Sequence, residues 1–127
     1  MRKPLTSEAA KAVGPYSHGI VSDPFVVLSG QTPLDPSTGD LVGGGAGAQT
    51  RQCFANLFAV LRADGLDASD VVKVNVYLTD MDDFAEMNAA YADHFDEPFP
   101  ARTTIGVAAL PLGAAVEIEL MARRREL

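Results

Sequence analysis

The sequence is organised around one stretch, Phe99-Pro100-Ala101-Arg102-Thr103-Thr104-Ile105-Gly106-Val107. Pro100 favours an extended approach, because a proline disfavours the helical conformation in the residue before it. The two-residue period of a strand then places Arg102 and Thr104 on the same face. The next acidic residue along the chain is Glu117. A guanidinium on a core strand needs a partner, since an unpaired buried charge is costly. That partner is either a protein carboxylate, in a plain ion pair, or the carboxylate of a ligand.

The composition fits a single domain over residues 1–127. This length is enough for one hydrophobic core, and 47% of the residues are hydrophobic. No apolar run approaches the ~20 residues that span a bilayer, and the amino terminus lacks the apolar segment of a secretory signal. The single cysteine, Cys53, excludes a disulfide within the chain. Together these features predict a cytoplasmic protein with no membrane partner.

The charge distribution disfavours polyanionic partners. The net charge is −7, whereas nucleic acids and anionic membranes bind basic surfaces. The one basic cluster, Arg123-Arg124-Arg125, lies near the carboxyl end and is predicted to be solvated. The two histidines, His18 and His94, show no ligand spacing, so no metal site is expected.

Hydrophobic periodicity predicts two helices. The first covers residues 48–63, with Gly65 placed for a left-handed C-terminal cap. The second follows the capping residue Asp80, and its apolar stripe consists of Phe84, Met87, Tyr91 and Phe95. Asn88 falls inside this stripe, and a buried amide must be hydrogen-bonded. We therefore expect its partner to be the backbone, another subunit or a ligand.

Further stretches predict strands. Residues 25–31 are apolar without alternation, which predicts a strand buried on both faces. Residues 71–78 and 116–122 alternate, which predicts half-buried strands. In the first of these, the predicted buried face consists of Val72, Val74, Val76 and Leu78. Glu117, in the last strand, is predicted to lie near the strand that carries Arg102.

This order of elements predicts an α+β domain in which two helices cover one face of a small mixed sheet. The opposite face would stay rather apolar, at Val71, Tyr77, Val107 and Met121. An apolar face of that kind indicates an oligomer that covers it.

Near the amino end, Tyr16 lies between two glycines, and its ring either lines a pocket or packs over the edge of the core.

Several short motifs, spread in order over nearly the whole chain, resemble the RidA/YjgF family of reactive intermediate deaminases. They are Gly14-Pro15-Tyr16-Ser17, Leu28-Ser29-Gly30-Gln31, Asn88-x-x-Tyr91, Pro100-Ala101-Arg102 and Leu110-Pro111-x-Gly113-x-x-Val116-Glu117-Ile118-Glu119. The resemblance implies a chorismate-mutase-like α+β fold, assembled as a barrel-like homotrimer with sites in the clefts between subunits. It also implies hydrolysis of 2-imino or enamine acids, such as 2-aminoacrylate in its imine form, to a 2-oxo acid and ammonia.

The resemblance implies catalytic roles for Arg102 and Glu117. Arg102 would grip the substrate carboxylate, which suits a planar guanidinium with two parallel donors. Glu117 would hold and activate the attacking water near the imine carbon. The implied reaction needs no cofactor, because the imine carbon is already electrophilic and positioning is enough.

Other matching positions would form the substrate-binding cleft. Tyr16, Ser29 and Asn88 would shape and polarise it, and Gly30 would allow the backbone to approach. Thr104 stands where many family members have cysteine, so a hydroxyl replaces a thiol. This departure bears on any thiol role and on substrate preference rather than on the basic hydrolysis.

Two functions of other classes stay open. The same cleft would serve a binding module that senses 2-oxo acids or other small carboxylates without turnover. The family also carries a ribonuclease or translation-inhibitor label, which the acidic net charge and the lack of a basic stripe disfavour.

Overall fold

A mixed β-sheet carries the fold in the computed structural model of the protein, which describes residues 2–7 and 14–125. Its strands in chain order are β1 (Lys3–Leu5), β2 (Gly19–Ser22), β3 (Phe25–Gln31), β4 (Val71–Leu78), β5 (Ala101–Gly106) and β6 (Val116–Arg123). In space they lie in the order β1-β2-β3-β6-β4-β5. Strands β4 and β5 run parallel, and the other neighbouring pairs run antiparallel. Strand β5 is therefore at one edge of the sheet.

Two α-helices, α1 (Gly45–Arg62) and α2 (Phe84–Ala92), cover one face of this sheet. Their buried side chains share one core with those of β3, β4 and β6, among them Phe54, Met87, Val74 and Ile118. The predicted α+β arrangement is thereby confirmed. Gly65 has a φ of 72° after α1, and the Leu66 amide donates to the Leu61 carbonyl at 3.1 Å, which is the predicted left-handed cap.

The prediction that β3 is buried on both faces is wrong for the single chain. Val26 and Leu28 are fully buried, whereas Val27 is 46% exposed on the other side. The strand therefore alternates in burial although its residues do not alternate in hydrophobicity. Within residues 2–7 and 14–125, no helix covers that second side, which we call the open face of the sheet.

The predicted buried face of β4 is wrong at Val72, the first residue assigned to that face. The register with β6 shifts between Val71 and Lys73. As a result Val71 is buried and Val72 is 39% exposed. A bulge of this kind adds one residue and reverses the alternation before it, and hydrophobicity alone does not reveal it.

The second helix is shorter than its apolar stripe. The Asp80 side chain accepts from the Asp82 amide at 2.9 Å and caps a 3-10 turn, Met81–Asp83, rather than α2 itself. The helix ends at Ala92, so Phe95 reaches the core from the segment that follows.

The carboxyl end is tied to the domain, and the prediction that its arginines are merely solvated is wrong. Arg124 donates two hydrogen bonds to Asp64, at 2.7 and 2.8 Å, and its side chain also meets Asp23 at 2.9 Å. Arg125 pairs with Asp70 at 2.8 Å.

Among the described residues, no helix has the length and hydropathy to cross a membrane.

Candidate active site

Arg102 projects from the edge strand β5 towards α2. Its register neighbour on β4 is Val74, whose side chain is buried beneath the helices. One guanidinium nitrogen donates to Asn88 Oδ1 at 2.8 Å. The guanidinium carbon lies 4.5 Å from the centre of the Tyr91 ring and 5.7 Å from that of Phe84.

The partner of Arg102 within the chain is thus a neutral amide. Over residues 2–7 and 14–125, no carboxylate lies within ion-pair distance of its guanidinium, so the plain ion pair is not found there. Asn88 is exposed, contrary to the prediction of a buried amide, because α2 turns this side chain to the rim next to β5. A charge without a protein counter-ion is suited to a carboxylate ligand.

A cavity of about 280 Å³ opens beside this guanidinium. Its lining consists of Asn88, Tyr91, Ala92, Phe99, Pro100 and Arg102. Thr104 follows two residues after Arg102 on the same side of β5, and its Oγ1 is buried without a hydrogen-bond partner in the described chain. We call Asn88, Arg102 and Thr104 the Arg102 cluster.

Glu117 belongs to a second cluster, on the open face. The register between β3 and β6 shifts so that Ser29 and Gly30 together oppose Glu119. A Cβ atom on Gly30 would lie 2.7 Å from Glu117 Oε2, so only glycine leaves room for this carboxylate. The family resemblance implied a close backbone approach at Gly30, but the bulge that brings Gly30 against Glu117 is a tertiary feature.

The segment that carries Tyr16 lies against the same end of β3. Ser29 donates its hydroxyl hydrogen to the Ser17 carbonyl at 2.6 Å, and the Tyr16 ring meets the His18 ring edge-on at 5.8 Å. His18 is buried beside the Gln31 amide, 2.9 Å away, whereas Tyr16 is exposed. Tyr16, Ser29, Gly30 and Glu117 form what we call the Glu117 cluster.

The two clusters lie on opposite faces of the sheet. Arg102 is on the helix side, while Glu117 pairs with Tyr77 on the open face. Strand β4 also separates β5 from β6, which places the two backbones about 10 Å or more apart. The prediction that Glu117 lies near the Arg102 strand is therefore wrong within one chain, because an intervening strand and the pleat of the sheet keep the two side chains apart.

The surroundings of Glu117 on the open face favour a role for its carboxylate as a general base. Burial, and then the negative charge of Glu119, raise the pKa of Glu117 above its ordinary value. Glu119 itself accepts a hydrogen bond from the Tyr77 hydroxyl at 2.6 Å. This bond, followed by burial and the negative charges of Glu119 and Glu117, raises the pKa of Tyr77 to about 12. A carboxylate whose pKa is raised accepts a proton more readily once it is ionised.

Other candidate groups do not form a site. Burial raises the pKa of the Cys53 thiol, and its sulfur lies 3.2 Å from the Gln31 carbonyl in the core, as expected for a small core residue. Among the described residues, no group of three or more histidine, cysteine, aspartate or glutamate side chains could hold a metal ion.

The sequence analysis missed three residues of the site. Tyr91 and Phe84 were assigned to the core stripe of α2, yet both rings contact Arg102. Phe99 was assigned only to the strand, yet it lines the cavity. The available signal was the spacing of Phe84, Asn88 and Tyr91, which puts an amide between two rings on one helix face.

Comparisons with known proteins find similarity over nearly the whole chain. Residues 6–124 match the family model described as endoribonuclease L-PSP. A RutC family protein of Pyrococcus horikoshii is 47% identical over 118 residues, covering 93% of this chain and 94% of that protein. The human protein named 2-iminobutanoate/2-iminopropanoate deaminase is 43% identical over 117 residues, covering 92% of this chain and 85% of that protein. The crystal structure of RidA from an Antarctic Psychrobacter has a TM-score of 0.91 and 42% identity, covering 96% of this chain and 99% of that one.

Proposed function

Since the chain belongs to the endoribonuclease L-PSP family, which is the RidA/YjgF family, we propose that it is a cofactor-free imine deaminase. Its substrates are 2-imino or enamine acids, such as 2-aminoacrylate and 2-iminopropanoate, and its products are 2-oxo acids and ammonia. The observation that carries the proposal is the Arg102 guanidinium, which borders a cavity and has no carboxylate partner among the described residues. The names of the bovine and human relatives support the same reaction.

In the proposed mechanism, Arg102 binds the substrate carboxylate through two parallel N–H donors. Asn88 keeps the guanidinium oriented, and the Thr104 hydroxyl faces the substrate. Glu117 accepts a proton from water while the water oxygen bonds to the imine carbon and the π electrons of the C=N bond move to nitrogen. The Glu117 carboxyl then returns its proton to that nitrogen, which gives a carbinolamine. The hydroxyl proton of the carbinolamine passes to the nitrogen by way of Glu117, and cleavage of the C–N bond releases ammonia and leaves the carbonyl of the 2-oxo acid.

We propose a homotrimer in which each site combines the Arg102 cluster of one subunit with the Glu117 cluster of its neighbour. The support is that the two clusters lie on opposite faces of one sheet, so a small substrate does not reach both within one chain. The exposed apolar side chains of the open face would be buried by the neighbours, in a chorismate-mutase-like, barrel-shaped assembly. A cytoplasmic location is part of the same proposal.

The test uses an amino-acid oxidase that generates 2-imino acids in the presence of semicarbazide. The wild-type protein is expected to suppress semicarbazone formation. In the Arg102→Ala and Glu117→Ala variants, the rate of imine hydrolysis is expected to fall by at least ~10²-fold. Arg62→Ala, which removes an exposed arginine of α1, is the matched control. An active Arg102→Ala variant would contradict the proposal.

Mixed trimers test the shared site. Co-expressed Arg102→Ala and Glu117→Ala subunits, assembled at random, should recover about a quarter of wild-type activity, because that share of interfaces combines the two intact side chains. Sites confined to single chains would give no recovery.

A binding module without turnover is the second candidate. It is favoured by the fact that the Arg102 cavity is complete on the helix side without Glu117. Pyruvate binding that depends on Arg102, with no hydrolysis of any imine, would select this function. RNA cleavage, suggested by the family name, is disfavoured by the net charge of −7.

A further inference from the structure

We infer that Tyr91, assisted by Phe84, is a positioning residue that holds the Arg102 guanidinium ready for the substrate carboxylate. The inference rests on the proposed function, because it concerns the same site. Tyr91 belongs to the Asn88-x-x-Tyr91 motif, but the resemblance gave its ring no role in the reaction, and Phe84 lies outside the motifs.

The first argument is how Arg102 is held. A long arginine side chain has many rotamers, and an ion pair is the usual way to fix one. Here a protein carboxylate would compete with the substrate for the same donors. Instead, the Asn88 amide takes one N–H at 2.8 Å, and the Tyr91 ring meets the guanidinium carbon at 4.5 Å. These neutral contacts orient the charge without neutralising it.

The second argument is the rigidity of the Tyr91 ring. Tyr91 is only 5% exposed, and its ring centre lies 5.5 Å from that of Phe54 and 5.1 Å from that of Phe95. The ring is thus fixed by the core on one side and contacts Arg102 on the other. A fixed platform lowers the ordering entropy that the guanidinium loses when a ligand binds.

The third argument separates the ring from its hydroxyl. The Tyr91 hydroxyl is buried and has no hydrogen-bond partner in the described chain. A buried polar group without a partner stabilises nothing, and removing it is close to neutral. Phenylalanine should therefore replace Tyr91, whereas an aliphatic side chain should not.

The experiment measures pyruvate affinity by isothermal titration calorimetry and steady-state imine hydrolysis on the full-length protein. Tyr91→Leu is expected to weaken pyruvate binding roughly three- to thirty-fold and to raise KM by the same factor, with a smaller change in kcat. Tyr91→Phe is expected to restore binding to about twofold of wild type. Phe58→Leu is the matched control, since Phe58 belongs to the same aromatic cluster, whereas the described rings that contact the Arg102 guanidinium are those of Phe84 and Tyr91.

Several outcomes would overturn the inference. Unchanged pyruvate affinity in a folded Tyr91→Leu variant would do so, as would an equal loss in Phe58→Leu, which would assign the effect to general packing. A Tyr91→Phe variant as weak as Tyr91→Leu would assign it to the hydroxyl. Should Tyr91→Leu not fold, Phe84→Leu carries the test with a smaller expected loss, because its ring is 5.7 Å from the guanidinium carbon.

The same data separate this inference from the proposed function. A wild-type protein that hydrolyses imines while the Tyr91 and Phe84 variants keep full affinity overturns the inference alone. A wild-type protein that binds pyruvate in the expected variant order but hydrolyses no imine overturns the deaminase proposal and leaves the positioning role standing.

Discussion

At the scale of single residues, the site depends on what surrounds each charged group. Arg102 meets a neutral amide and two rings rather than a carboxylate, so its charge stays available to a ligand. Glu117 is half-buried beside Glu119, and both effects raise the pKa of Glu117. These environments suit the proposed roles, in which Arg102 binds a carboxylate and Glu117 accepts a proton.

The first residue-scale prediction concerns Gly30, which packs against the Glu117 carboxylate. We expect Gly30→Ala to lower imine hydrolysis by roughly 10-fold or more, because a 1 Å displacement of a catalytic group has effects of this size. The new Cβ would lie 2.7 Å from Glu117 Oε2 and would push that carboxylate aside. The thermal midpoint should change little, since the clash is with the end of a flexible side chain.

Gly43→Ala is the control, because a Cβ at Gly43 meets nothing within 4 Å. An active Gly30→Ala variant would show that the position of the Glu117 carboxylate is not critical. Activity is measured in the semicarbazide assay and the thermal midpoint by calorimetry.

At the scale of elements, the arginines after β6 fasten the end of the sheet to the turn after α1. Arg124 makes a two-pronged contact with Asp64, whose side chain is 11% exposed. These hydrogen bonds, more than the charge itself, lower the pKa of Asp64 from its ordinary value of 3.8. The pair therefore links elements that are distant in sequence.

We expect Arg124→Ala to lower the thermal midpoint by several degrees at neutral pH. Because the folded-state pKa of Asp64 is depressed, the stabilisation is present above the ordinary value of 3.8 and is lost as pH falls through the folded-state pKa. The difference in midpoint between variant and wild type should therefore shrink below about pH 4. Thermal scans against pH check this, with Arg62→Ala as control; a difference that stays constant would exclude the ionised pair as its source.

At the scale of the whole molecule, the open face of the sheet indicates association. Val27 and Ile105 are 46% and 45% exposed there, and both alternate with residues that face the helices. A monomer gains nothing from leaving such side chains in water. The same association would bring Arg102 and Glu117 of different chains together.

If the proposed trimer uses this face, Val27→Glu and Ile105→Glu are expected to make the protein monomeric and to abolish the proposed imine hydrolysis, since a buried charge at an interface is costly. Light scattering coupled to size exclusion measures the mass. Ala55→Glu, on the exposed side of α1, should leave the trimer intact. A monomeric wild type, or variants that remain trimeric, would exclude the open face as the interface.

The sequence by itself determined the family and most of the elements of the chain. The period of the apolar residues predicted both helices and the half-buried strands, and short motifs singled out Arg102, Glu117 and their companions as candidates, because these signals are local in sequence. Tertiary structure decided what depends on pairing between distant strands: the bulges at Val72 and Gly30, the rings beside Arg102, and the placement of Arg102 and Glu117 on opposite faces. The physical reason is that strand order and register set which side chains meet, and a shift of one residue moves a side chain to the other face of the sheet.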